Sequence, residues 1–143
     1  MRVTAVYSVD EFSSELIPLA TMPVSAGFPS PADDYAEEKL NLHELLVAHP
    51  AATFFVRAIG TSMIDAGIKS GDMLIVDRAL QARDGAIVIA VVDGELTVKR
   101  YHDRCGQLRL VADNPDQPPI QLGPESEVQV WGVVTSVVHQ FQK

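Results

Sequence analysis

Ala86-Ile87-Val88-Ile89-Ala90-Val91-Val92-Asp93-Gly94-Glu95-Leu96-Thr97-Val98-Lys99-Arg100-Tyr101 is the stretch on which the fold turns. It holds two runs rich in apolar and β-branched residues, separated by Asp93-Gly94. A tight type I′ turn needs positive φ at both central residues, which Asp-Gly tolerates, so the pair predicts an antiparallel hairpin. The first run is seven residues long, far short of the roughly 20 that a membrane-crossing helix requires. The hairpin places Lys99 inside a strand.

Further runs outward read as strands over residues 53–58, 73–77, 108–112 and 128–138, with a turn-rich stretch between 113 and 127. The chain is therefore expected to be mainly β. One short helix is predicted from Asn41, where Asn41-Leu42-His43-Glu44 has the character of a capping box, Leu42, Leu45 and Leu46 share a face, and Pro50 ends it. Before it, Pro18, Pro23, Pro29 and Pro31 interrupt short apolar pieces. Proline removes backbone donors and fixes φ, so the first thirty or so residues read as an extended arm.

The 143 residues, 47% of them apolar, amount to one domain with a core of its own. Eleven basic against nineteen acidic residues leave a net charge of −8, the wrong sign for holding a phosphate backbone; no direct nucleic-acid contact is expected. No basic stretch followed by an apolar block marks the N-terminal residues as a secretion signal. Cys105 is the single cysteine, so there is no internal disulfide, which suits a reducing cytoplasm. It lies in a turn-like stretch and reads as an incidental thiol.

Chemistry enters through Ser62, in Gly60-Thr61-Ser62-Met63-Ile64-Asp65, and Lys99. A serine hydroxyl becomes a competent nucleophile when a neighbouring base takes its proton, and lysine is a base only when uncharged. At an ordinary pKa of about 10.4, about one lysine in 2,500 is neutral at pH 7; lowering it to about 7–8 takes roughly 4 kcal/mol against the ammonium, which burial can supply. Lys39, Lys69 and Lys143 sit in polar or terminal contexts, whereas Lys99 has apolar strand neighbours. Arg100 stays charged at any accessible pH and cannot replace it. Two plainer readings stand beside this one. Lys99 can lie on a solvent face in a row with Glu95 and Thr97, and Ser62 can cap a short helix over Ser62-Met63-Ile64-Asp65. A serine at a helix start also has free amides beside it, which could hold an oxyanion.

Other schemes find less support. Ser62 lacks the second glycine of a Gly-x-Ser-x-Gly elbow, and His43, His49, His102 and His139 are scattered without a local triad signature. One cysteine and no paired ligand spacing give no metal site, and no glycine-rich phosphate loop is present, so no metal and no cofactor are expected.

Four segments together resemble the UmuD-like members of the LexA-like Ser/Lys self-cleaving peptidase family: residues 27–35, 60–68, 71–77 and 93–99. The spacing between Ser62 and Lys99 is also similar to the family's. The resemblance implies a fold of curved, partly barrel-like sheets with a short helix and an extended N-terminal arm, as in LexA and signal peptidases. It further implies that Ser62 is the nucleophile, Lys99 the general base, and the Ala26–Gly27 bond the substrate. Residues 1–26 would then be an arm removed by self-cleavage, and residues 27–143 the peptidase-like domain. Small Ala26 and Gly27 suit a backbone that must enter a tight cleft. One departure stands at Ala26, where UmuD-like chains can carry cysteine and Ala-Gly is typical of the repressor branch. As partners the resemblance implies a second copy in a homodimer, a RecA filament on single-stranded DNA as trigger, and a UmuC-like translesion polymerase subunit. The competing expectations are a non-catalytic β-rich interaction module and a LexA-like repressor fragment.

Overall fold

The computed structural model describes residues 1–9, 16–20, 36–117, 120–121 and 128–142. In chain order its elements are β1 (Arg2–Ser8), β2 (Leu16–Ala20), β3 (Ala36–Asn41), α1 (Leu42–Leu46), β4 (Thr53–Ile59), β5 (Met73–Asp77), β6 (Ile87–Val92), β7 (Glu95–Arg104), β8 (Gln107–Val111), β9 (Ile120–Gln121) and β10 (Val128–Val138). The mainly β expectation holds. β6 and β7 form the predicted hairpin with Val92 opposite Glu95, and both turn residues have positive φ, 50° at Asp93 and 82° at Gly94. A second tight turn of the same kind, Cys105-Gly106 (φ 53° and 77°), joins β7 to β8 and leaves Cys105 exposed.

The helix is as short as its sequence suggests. The Asn41 side chain accepts from the Glu44 amide at 3.2 Å, and α1 ends before Pro50. Three strands, β1 to β3, lie where the sequence reading saw only an extended arm and the approach to the helix. β2 pairs antiparallel with β3 as a separate two-stranded ribbon, where Pro18 costs no central ladder bond.

The large sheet runs in the order β1-β4-β5-β10-β6-β7-β8-β9, every neighbour antiparallel. It also closes on itself. Arg2 of β1 pairs with Thr97 of β7, and the Val98 amide donates to the Met1 carbonyl at 2.9 Å. Six strands thus make the barrel-like body, and β8 and β9 continue from it as a flange. Val56, Ala58, Met63, Ile68, Leu74, Val76, Ile89 and Val98 fill one core, with Met1 and Val3 packed against it. Val88, Ala90 and Leu110 form a second cluster. Consecutive β6 residues Val88, Ile89 and Ala90 are all fully buried, which explains the unbroken apolar run: this strand is covered on both faces.

The strand expected over residues 128–138 is β10, which runs between β5 and β6 with Gly132 its one buried residue. It shifts register against β6 between Val130 and Gly132. A Cβ on Gly132 would lie 2.6 Å from Val76 Cγ1 and 3.2 Å from Arg78 Cγ. Arg78 itself is held over the Trp131 ring, 4.5 Å from its centroid, and donates to the Trp131 carbonyl at 2.8 Å, so it has little room to yield. Gly132→Ala is expected to destabilise the fold by about 1–3 kcal/mol through overpacking, read as a lowered midpoint in urea unfolding.

Candidate active site

β4 delivers the chain to Gly60, whose φ of 116° turns it sharply, and Ser62 follows with only 1% of its surface exposed. Met63, fully buried in the core, pins the loop from below. The capping role considered for Ser62 is not realised. The short 3-10 turn Ile64–Ala66 begins after Met63 and has no side-chain cap, because the chain turns one residue later than the capping-box spacing assumes. The Ser62 hydroxyl instead accepts a hydrogen bond from the α-amino group of Met1. The amides of Ser62 and Met63 donate to no acceptor among the described residues.

Lys99 stands on β7 opposite Val88 and is 9% exposed. The solvent-face alternative is therefore corrected. Glu95, Thr97 and Lys99 do share one face of the strand, as period two requires, but that face descends from an exposed Glu95 through a half-buried Thr97 to a buried Lys99. The Thr97 Oγ1 atom is buried with no hydrogen-bond partner among the described residues. Burial disfavours the ammonium and pushes the Lys99 pKa below the ordinary lysine value. Of the four lysines, Lys69 is exposed, and Lys39 and Lys143 have side chains outside the described residues.

The Met1 amine links the two candidates. Its carbonyl is bonded beside Lys99 at Val98, and its nitrogen contacts Ser62. Burial, and after it the charge of Lys99, lower its pKa to about 6, so at neutral pH it is largely uncharged. Among the described residues no direct hydrogen bond joins Ser62 to Lys99; the amine contacts the Ser62 hydroxyl and feels the charge of Lys99. Ala26 and Gly27 lie outside the described residues.

A second loop grips the first. The Asp65 amide donates to the Asp113 carbonyl at 2.8 Å, the Asp113 amide to Met63 Sδ at 3.5 Å, and Asn114 Nδ2 to the Thr61 carbonyl at 3.0 Å. Arg100, next to Lys99, donates to Asp113 Oδ2 through Nε at 3.0 Å and Nη2 at 2.5 Å, and to the Gly85 carbonyl at 2.7 Å. Sequence reasoning noticed Arg100 only as a group unable to act as base, and residues 113–127 only as turn-rich. The histidines do other work: His49 pairs with Asp77 at 2.6 Å, His102 with Asp84 at 3.2 Å and His139 with Asp72 at 2.5 Å. None of them bonds to Ser62 among the described residues, so no Ser-His-Asp arrangement is built there.

Residues 18–135 match the Peptidase S24-like family. Protein SamA of Salmonella typhimurium is 50% identical over 123 residues, 86% of this chain and 85% of its own length. Protein MucA of Escherichia coli is 48% identical over 120 residues, 83% of this chain and 82% of that one. The LexA repressor of Dechloromonas aromatica is 42% identical over 116 residues, 80% of this chain but 57% of the repressor.

Proposed function

This chain belongs to the Peptidase S24-like family, as a UmuD-like protein of SOS mutagenesis, and we propose that it cleaves itself at Ala26–Gly27 with Ser62 as nucleophile and Lys99 as base. The observation that carries the reading is the burial of Lys99 on β7, next to the Val98 amide that holds Met1, whose amine touches the Ser62 hydroxyl. A hydroxyl that accepts from Met1 still has its own proton to give, and the base that can take it is Lys99, the buried lysine among the described residues.

In the proposed reaction neutral Lys99 takes the Ser62 proton while Oγ attacks the Ala26 carbonyl carbon. The amides of Ser62 and Met63 are the donors nearest to hand for the oxyanion. Collapse breaks the C–N bond, and the Lys99 ammonium returns its proton to the departing Gly27 amine. Water, deprotonated by the same lysine, then attacks the acyl-serine ester; the C–Oγ bond breaks, and the Lys99 ammonium returns the proton to Ser62 Oγ. The arm docks in its own chain or is exchanged between the two copies of a homodimer; a tethered substrate makes attack effectively unimolecular, with the rate set by arm docking rather than by substrate concentration.

The reading extends to a cytoplasmic protein whose trigger is a RecA filament on single-stranded DNA. The fragment of residues 27–143, as a homodimer, would join a UmuC-like polymerase subunit. Among the described residues no helix is long and apolar enough to cross a membrane. Incubation with activated RecA filaments followed by mass analysis tests this. A product beginning at Gly27 is expected; a different new N-terminus overturns the bond assignment, and a chain left intact overturns self-cleavage.

A further inference from the structure

The geometry points to Arg100, Asp113 and Asn114 as a positioning bridge that holds the Ser62 loop against β7, and so against Lys99, during cleavage; this rests on the Ser62/Lys99 reading. The bridge touches the loop on both sides of the nucleophile. It reaches Thr61 one residue before Ser62 through Asn114 Nδ2, Met63 one residue after it through the Asp113 amide, and Asp65 three residues after it through the Asp113 carbonyl.

The loop has little else to hold its position. Gly60 and Gly67, both at positive φ (116° and 85°), flank it. The Ile64 amide bonds back to Thr61 at 3.2 Å within the loop, and the Gly60 amide reaches Ser70 Oγ at 3.0 Å at its base. Met63 anchors it to the core. Besides Met1, whose amine contacts Ser62 and whose carbonyl accepts from Val98, the 113–114 turn ties it sideways to the strand that carries the base, and Arg100 ties that turn to β7. Alternation sends the side chain of Arg100 to the opposite face from Lys99, so the guanidinium can hold Asp113 without charging the cleft. A planar guanidinium is suited to grip the Asp113 carboxylate and the Gly85 carbonyl at once, which a lysine ammonium on a flexible stem is not.

The pair is partly solvated, with 28% of the Arg100 and 20% of the Asp113 side chain exposed, so its expected contribution to global stability is small and its effect should fall on geometry. A misplacement of about 1 Å can cost about a hundredfold in rate.

The test uses the full chain and two readouts: self-cleavage across alkaline pH, and covalent labelling of Ser62 by a fluorophosphonate, which does not need the arm to dock. Arg100→Gln is expected to slow both by about tenfold to a hundredfold at the alkaline plateau while leaving the midpoint of the pH profile in place. Arg100→Lys is expected to restore part of the loss. Asn114→Ala, which removes the contact to Thr61 without touching the ion pair, should slow both in the same sense. If Arg100→Gln unfolds the chain, this variant decides. Asp84→Asn, which weakens the pairs Asp84 makes with His102 and Arg104 of β7, is the control and should react like the natural chain. Unchanged rates in Arg100→Gln, or in a folded Asn114→Ala, overturn the bridge, as does an equal loss in Asp84→Asn. A natural chain that neither cleaves nor labels defeats the underlying Ser62/Lys99 reading instead.

Discussion

Lys99→Arg is expected to abolish self-cleavage, a loss of at least about a hundredfold to ten-thousandfold, the range that one positioned general base contributes. Arginine keeps the positive charge and most of the length of lysine, but it holds its proton at every pH the protein survives. Lys99→Met should be equally inactive and yet fold more tightly. Burial works against the ammonium, and an apolar side chain of similar size removes that cost from the same strand position. A raised melting temperature with lost cleavage would separate the role of Lys99 in the reaction from any role in the fold. Ser62→Ala should be inactive as well, with the Met1 amine losing its acceptor. Persistent cleavage in any of the three variants rejects the assignment.

The pH profile is the second large effect. Neutral Lys99 is the active form, so below its folded pKa the cleavage rate should climb about tenfold for each unit of pH. Because burial places that pKa below the ordinary lysine value, the climb should level off before the range in which an exposed lysine titrates. Stability moves the same way. Between the lowered folded value and the ordinary unfolded one, the unfolded chain binds more protons, so stability rises with pH across that window and gains nothing further above it. Lys99→Met should lose this slope, which a series of urea titrations at stepped pH can measure. A rate that is flat from neutral to alkaline pH contradicts a lysine base.

Much of this was legible locally. Asp93-Gly94 announced its hairpin because two positive φ values leave few residue choices, and the covered strand β6 announced itself by seven apolar residues in a row. What stayed hidden depends on partners distant in sequence. β1 carries a weak alternation, with Val3 and Ala5 half-buried between exposed Arg2 and Thr4, but the pattern does not say that its start crosses to Thr97 and closes the barrel. The burial of Lys99 was hidden for the same reason. Glu95, Thr97 and Lys99 look alike as a polar row, and only the closing strand decides where along that row water is excluded. The Arg100–Asp113 pair spans two turns and a strand, and nothing in either residue's neighbourhood names the other.

The side-chain titration of Lys99 itself, followed by the 13Cε chemical shift in a Ser62→Ala chain that cannot consume itself, tests the account most directly. A midpoint below the ordinary lysine value and coincident with the alkaline limb of the cleavage profile is the predicted result. A midpoint at the value of an exposed lysine would contradict it.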